Sequence, residues 1–150
     1  MIRILCVGKI KEKFFVDAIN EYKKRLNKYT KIDIIEVKDE DYDIKKTLEL
    51  ESLSIEKYIL PKSYIITLEI EGNELSSIEL SNKINGIRNN YNDITFIIGG
   101  SYGLSDRIKQ LSNYKLSFSK MTFPHQLFRI MLLEQIYRSY KILNNETYHK

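Results

Sequence analysis

The sequence predicts one α/β domain over residues 1–150: a mostly parallel sheet with helices on both faces. Short apolar runs alternate with segments of helical period along the whole chain, the order that crossover connections between parallel strands require. Several of the strand-like runs are apolar at nearly every position, as in a sheet covered on both sides. No repeat, low-complexity stretch or linker interrupts the pattern, and 150 residues suit one domain.

The first run, residues 2–7, is a buried strand. Residues 13–28 place Phe14, Phe15, Ala18, Ile19, Tyr22 and Leu26 at helical spacing. Residues 32–37 are the second strand. Over residues 43–58, Ile44, Leu48, Ser52, Ile55 and Ile59 form a helical stripe that Pro61 ends. Residues 64–68 are the third strand. Ser76 and Glu79 have capping-box spacing at the next helix. Residues 94–98 are the fourth strand and run into Gly99-Gly100. Ser105-Asp106 caps a short helix, residues 116–118 form a short fifth strand, and Pro124 opens a long helix over residues 125–143.

That last helix carries Leu127, Phe128, Ile130, Met131, Leu132, Leu133, Ile136, Tyr137, Tyr140, Ile142 and Leu143 around most of its circumference. One side can pack on the sheet. The other needs a second cover, either another copy of the chain or the N-terminal part of the fold; a homodimer is the expectation.

Composition narrows the function. Hydrophobic residues are 43% and charged residues 29%, enough for a core that needs neither disulfide nor structural metal. Cys6, the single cysteine, cannot pair within the chain and reads as a buried strand residue, and no zinc-ligand spacing is present. No apolar stretch reaches the length of a signal peptide core or a membrane span, so the expectation is a cytoplasmic protein without membrane contact. The net charge of +4 is uneven. Residues 1–100 hold 16 basic and 17 acidic side chains, residues 101–150 hold 8 and 3. Such a surplus either favours a phosphate-rich partner or only solubilises the surface.

In parallel sheets ligands bind beyond the carboxyl ends of the strands, which singles out the turns after Leu68, Ile98 and Phe118. Gly99-Gly100-Ser101-Tyr102-Gly103 lets a ligand approach the backbone, but its spacing is neither a dinucleotide fingerprint nor a P-loop. Residues 118–126 join a strand to the long helix. Backbone N–H groups near a helix N-terminus suit a polar ligand rim, while Met121 and Phe123 are either cavity walls or core. His125 can equally be a structural histidine. Tyr148-His149-Lys150 lies where chains usually fray, and no Ser/His/Asp set or carboxylate pair stands out.

Four segments together resemble the ribosomal RNA large subunit methyltransferase H family of the SPOUT superfamily. They are residues 96–104, residues 116–127, Glu134-Gln135-Ile136-Tyr137-Arg138 and Tyr148-His149-Lys150. Val7-Gly8-Lys9, Glu21-Tyr22 and Arg25-Leu26 also fit. The resemblance runs from end to end. It implies a C-terminal trefoil knot holding S-adenosyl-L-methionine between three loops: Leu68, Gly99, and Phe118, Ser119, Lys120, Met121, Thr122 and Phe123. It implies methylation of N3 of pseudouridine 1915 in 23S rRNA, on the assembled 70S ribosome, by a homodimer, with no metal. His149 and Arg138 become the candidate catalytic pair, acting across the dimer: His149 to take or relay a proton, Arg138 to stabilise an imide anion or hold a phosphate. Tyr102 is bulkier than expected in the glycine turn and would restrict the donor if it pointed inward. The competing readings are a non-catalytic ribosome-associated RNA-binding protein of the same fold, or a methyltransferase acting on tRNA.

Overall fold

A computed structural model describes all residues, 1–150. The elements run β1 (Ile2–Val7), α1 (Lys13–Leu26), β2 (Ile32–Val37), α2 (Ile44–Glu56), β3 (Tyr64–Glu74), α3 (Ser77–Arg88), β4 (Ile94–Ile98), α4 (Asp106–Leu111), β5 (Tyr114–Ser117) and α5 (His125–Leu143). The five strands form one sheet in the order β2-β1-β4-β3-β5, and every pairing is parallel. All carboxyl ends therefore lie along one edge.

Alternation along the strands sorts side chains between two layers. Ile2, Ile4 and Cys6 of β1 and Ile94, Phe96 and Ile98 of β4 face α1, α3 and α5 in the larger cluster. Leu5 and Val7 of β1 and Ile97 of β4 face α2 and α4 with Ile55 and Ile108. Burial raises the Cys6 thiol to about 12, the environment of an inert core residue.

Local chemistry sets the helix starts. Asp43 accepts from Lys46 N at the start of α2, Ser76 and Glu79 form the expected capping box on α3, and Ser105 accepts from Ile108 N on α4.

Three expectations need correction. The buried stripe of α2 is Thr47, Glu51, Ser52 and Ile55, while Ile44 is 57% exposed; hydroxyl groups with internal partners displace the aliphatic stripe. β3 continues past Leu68 to Glu74. Leu116 pairs with both Leu68 and Asn73, so residues 69–72 bulge out of the ladder. β5 starts and ends earlier than expected, which leaves Phe118 in the turn.

The side of α5 formed by Arg129, Leu132, Leu133, Ile136, Tyr137, Ser139 and Tyr140 is buried against α1 and α3. The opposite stripe, Leu127, Met131, Glu134 and Arg138, is only partly covered, and Leu127 is 37% exposed. No helix is long and apolar enough to cross a membrane.

Candidate functional site

A cavity opens at the carboxyl ends of β4 and β5, bounded by the two turns expected there and by the bulge that β3 forms where the sequence suggested a third turn. Leu68, Gly99, Phe118, Ser119, Met121, Thr122 and Phe123 all line it. Lys120 does not. The Ser119 hydroxyl accepts from Met121 N at 3.0 Å, and this tight turn leaves Lys120 exposed at its crest.

The glycine turn is built by backbone constraint. Gly103 N donates to Gly100 O at 3.0 Å, and Gly103 has φ of +74°. A Cβ on Gly99 would overlap the Gly103 carbonyl, so side chains are excluded where the turn closes. Tyr102 points away, 48% exposed, and leaves the cavity open.

Several lining residues escape the sequence reading. Glu69 and Ile70 enter because the β3 bulge turns them out of the ladder; the only hint was Gly72-Asn73 after an apolar run. Phe128, in the first turn of α5, packs on Phe118 with ring centroids 4.9 Å apart and completes the apolar wall. His125 also lines the cavity. Burial holds its pKa below the ordinary histidine value, Asp39 opposing and Arg129 reinforcing the shift, so the neutral ring is favoured.

The α5 N-terminus is fixed from below by Arg129, which is 1% exposed. Its guanidinium pairs with Glu36 at 2.6 Å and donates to the Val7 and Gly8 carbonyls at 3.2 and 2.6 Å. That clamp ties α5 to the end of β1. Beside it, Glu51 on α2 is 3% exposed. One carboxylate oxygen accepts from Glu40 N at 3.1 Å and the other has no partner. Burial is the main cause that raises its pKa to about 7, with Asp39 and Glu40 adding to the shift.

Arg138 and His149 lie together but away from this cavity. Arg138 Nη1 stands 3.2 Å from His149 Nδ1, and its Nη2 pairs with Glu134 at 2.7 Å. Tyr148 donates to Glu134 at 2.8 Å and lies under the Arg138 guanidinium, 4.6 Å from ring centroid to Cζ. The C-terminal tail is therefore docked on α5 rather than frayed. Arginine only donates, so Nδ1 of His149 is the acceptor and the neutral ring carries its hydrogen on Nε2. Along α5, Arg138 is about 20 Å from His125 at 1.5 Å per residue. One chain does not bring the pair to its own cavity.

The family model described as "Predicted SPOUT methyltransferase" matches residues 1–149. A Methanococcus maripaludis protein is 56% identical, with 99% of each chain covered. The ribosomal RNA large subunit methyltransferase H of Clostridium tetani is 52% identical, also with 99% of each chain covered. A solved methylase-family protein from Haemophilus influenzae Rd KW20 shares the fold, with a TM-score of 0.58 at 14% identity over 99% of this chain and 70% of that one. The chain belongs to the SPOUT methyltransferases, among the relatives of ribosomal RNA large subunit methyltransferase H.

Proposed function

We propose that this protein is an S-adenosyl-L-methionine-dependent methyltransferase of 23S rRNA. In this reading it is a cytoplasmic homodimer that methylates N3 of pseudouridine 1915 on the assembled 70S ribosome, and its C-terminal third is threaded as a trefoil knot. The observation that carries the reading is the cavity formed by the bulge within β3 and the turns after β4 and β5. Its fit to the donor rests on Gly99, Gly100 and Gly103, which leave the backbone of that turn open, and the apolar walls Leu68, Phe118, Phe123 and Phe128, which suit close backbone contact with a nucleoside and its thioether chain. The knot is supported by the path of the chain. It leaves edge strand β5, crosses the carboxyl edge of the sheet through residues 118–124, and anchors at Val7 and Gly8 through Arg129.

When bound, the donor supplies an already activated sulfonium methyl group, so the protein needs no covalent nucleophile. What its residues must do is position two substrates and help the imide N3–H lose its proton. Leu68, Gly99, Phe118, Ser119, Met121, Thr122 and Phe123 hold and orient the donor. Arg138 and His149 serve the acceptor in the partner subunit's cavity. Arg138 offers fixed positive charge toward an imide anion or a phosphate. His149 donates from Nε2 while Arg138 occupies Nδ1, and accepts a proton at Nδ1 only when Arg138 releases it. Support for the dimer comes from the partly covered α5 stripe, Leu127, Met131, Glu134 and Arg138, which runs from the cavity end of the helix to this pair.

The test supplies labelled methyl donor with isolated 23S rRNA, 50S subunits, 70S ribosomes and tRNA in parallel, and then locates the modified nucleoside. Label confined to 70S ribosomes at the pseudouridine supports the reading. Label in tRNA alone, or no heat in calorimetry with S-adenosyl-L-methionine, overturns it. Arg138→Ala and His149→Ala should each lower turnover at least tenfold while donor affinity stays within a factor of two. Mixing Arg138→Ala with a variant whose donor cavity is blocked, Gly99→Ala, should restore part of the activity, because one of the two sites in a mixed dimer then joins an intact cavity to an intact pair.

A further inference from the structure

A second cavity lies on the same edge, at the carboxyl ends of β1 and β2, and His125 lines both. The two differ in chemistry. The first has aromatic walls; the second is lined by Gly8, Lys9, Lys11, Glu36, Gln126 and Arg129, among others. Its floor is rigid, because the buried Arg129 clamps the Val7 and Gly8 carbonyls and its Nε has no partner in the protein.

The charges here are unevenly matched. Glu36 is engaged twice, by Arg129 at 2.6 Å and by Ile10 N at 2.8 Å. Lys38 stands 3.8 Å from Glu40. Lys9 and Lys11 are exposed and have no carboxylate within ion-pair distance. Glu12 and Asp39, also on the wall, would repel an anion, which leaves the Lys9–Lys11 side as the place for one. Two unpaired ammonium groups beside the start of the 19-residue helix α5 suit a phosphodiester.

We propose that this polar cavity seats the backbone of the acceptor RNA strand, with Lys9 and Lys11 on its phosphates and the shared His125 wall directing the target nucleotide toward the donor cavity. The proposal rests on the methyl-transfer reading and assigns the acceptor a place in the same chain that holds the donor.

The test uses the full-length protein with Lys9→Gln, Lys11→Gln and the double substitution. Binding to 70S ribosomes lacking the modification is measured by sedimentation between 50 and 250 mM KCl, which spans the range where phosphate contacts weaken steeply. Each substitution should lower the slope of log K against log salt by about 1. In the double variant KM for ribosomes should rise at least tenfold with kcat within a factor of two, and Lys9→Arg with Lys11→Arg should restore it. Donor affinity by calorimetry should not change. An unaltered salt slope and KM in the double variant overturns the proposal, as does loss of donor binding in step with loss of RNA binding. Failure of the wild-type protein to bind donor is a separate result, and it overturns the methyl-transfer reading beneath.

Discussion

On the face that carries α1, α3 and α5, 18 buried apolar residues form one continuous cluster; under α2 and α4 the corresponding cluster has 7. The thinner face makes up the difference with paired hydroxyls. Ser52 and Ser105 lie 2.5 Å apart, Ser63 and Thr95 2.7 Å, and Thr67 donates to Ser112 at 2.7 Å. The large face is held by volume, which falls off gently with small shifts. The thin face is held by partner matching, where each orphaned group carries its desolvation cost. The site depends on both. α5 brings the Phe128 wall from the large face, and α2 sets Glu51 behind Gly100 from the thin one, 3.4 Å from where a Cβ would stand.

The comparison breaks first at β4, whose neighbours Phe96 and Ile97 point to opposite faces and are both 0% exposed. Phe96→Ala should cost about 3–5 kcal/mol and Ile97→Ala about 2 kcal/mol, by urea unfolding. Equal costs would sink the idea that the faces differ. A smaller effect comes from Glu51. Burial lifts its carboxyl from the ordinary 4.5 to about 7 in the native state. Between those two values the folded chain binds more protons than the unfolded one, so stability falls as pH rises through the window and stays lower above it. The expected loss is about 2 kcal/mol, with allowance for water reaching the exposed Asp39. Glu51→Gln should flatten that slope, read from urea midpoints at pH 5 and pH 8; a slope that persists in the variant assigns it to other groups. The smallest effect is at the hydroxyl pair. Ser63→Ala should cost about 1–2 kcal/mol by leaving Thr95 without its partner, and adding Thr95→Val should recover part of it.

Much of this architecture is legible from periodicity. β2, β4 and α5 have the bounds that the apolar pattern indicates, because their burial is apolar and their ends carry Gly99 or Pro124. The reading fails where burial is polar. On α2 the eye follows Ile44, yet Thr47 and Glu51 go inside beside the expected Ser52, since Thr47 accepts from Tyr42 N and Glu51 accepts from Glu40 N. At β3, the polar run Glu69 to Glu74 hides a strand whose pairing skips four residues. The site divides in the same way. The turns after β4 and β5 can be located as strand ends and Met121 as wall or core, but the roles proposed for Arg138 and His149 come only through family resemblance. Glu69, Ile70 and the Lys9–Lys11 cavity depend on long-range packing that no local pattern encodes.

The uniform strand direction has one more consequence. Both cavities crowd one rim of the sheet, so the opposite rim, with the Met1–Asp93 ion pair and the Pro61-Lys62 turn, has no part in either. Strands of 5 or 6 residues such as β1, β2 and β4 put about 17–20 Å between the two rims. A fluorophore or surface tether attached at Lys62 would therefore report on the enzyme, or hold it, without standing in the path of its substrates.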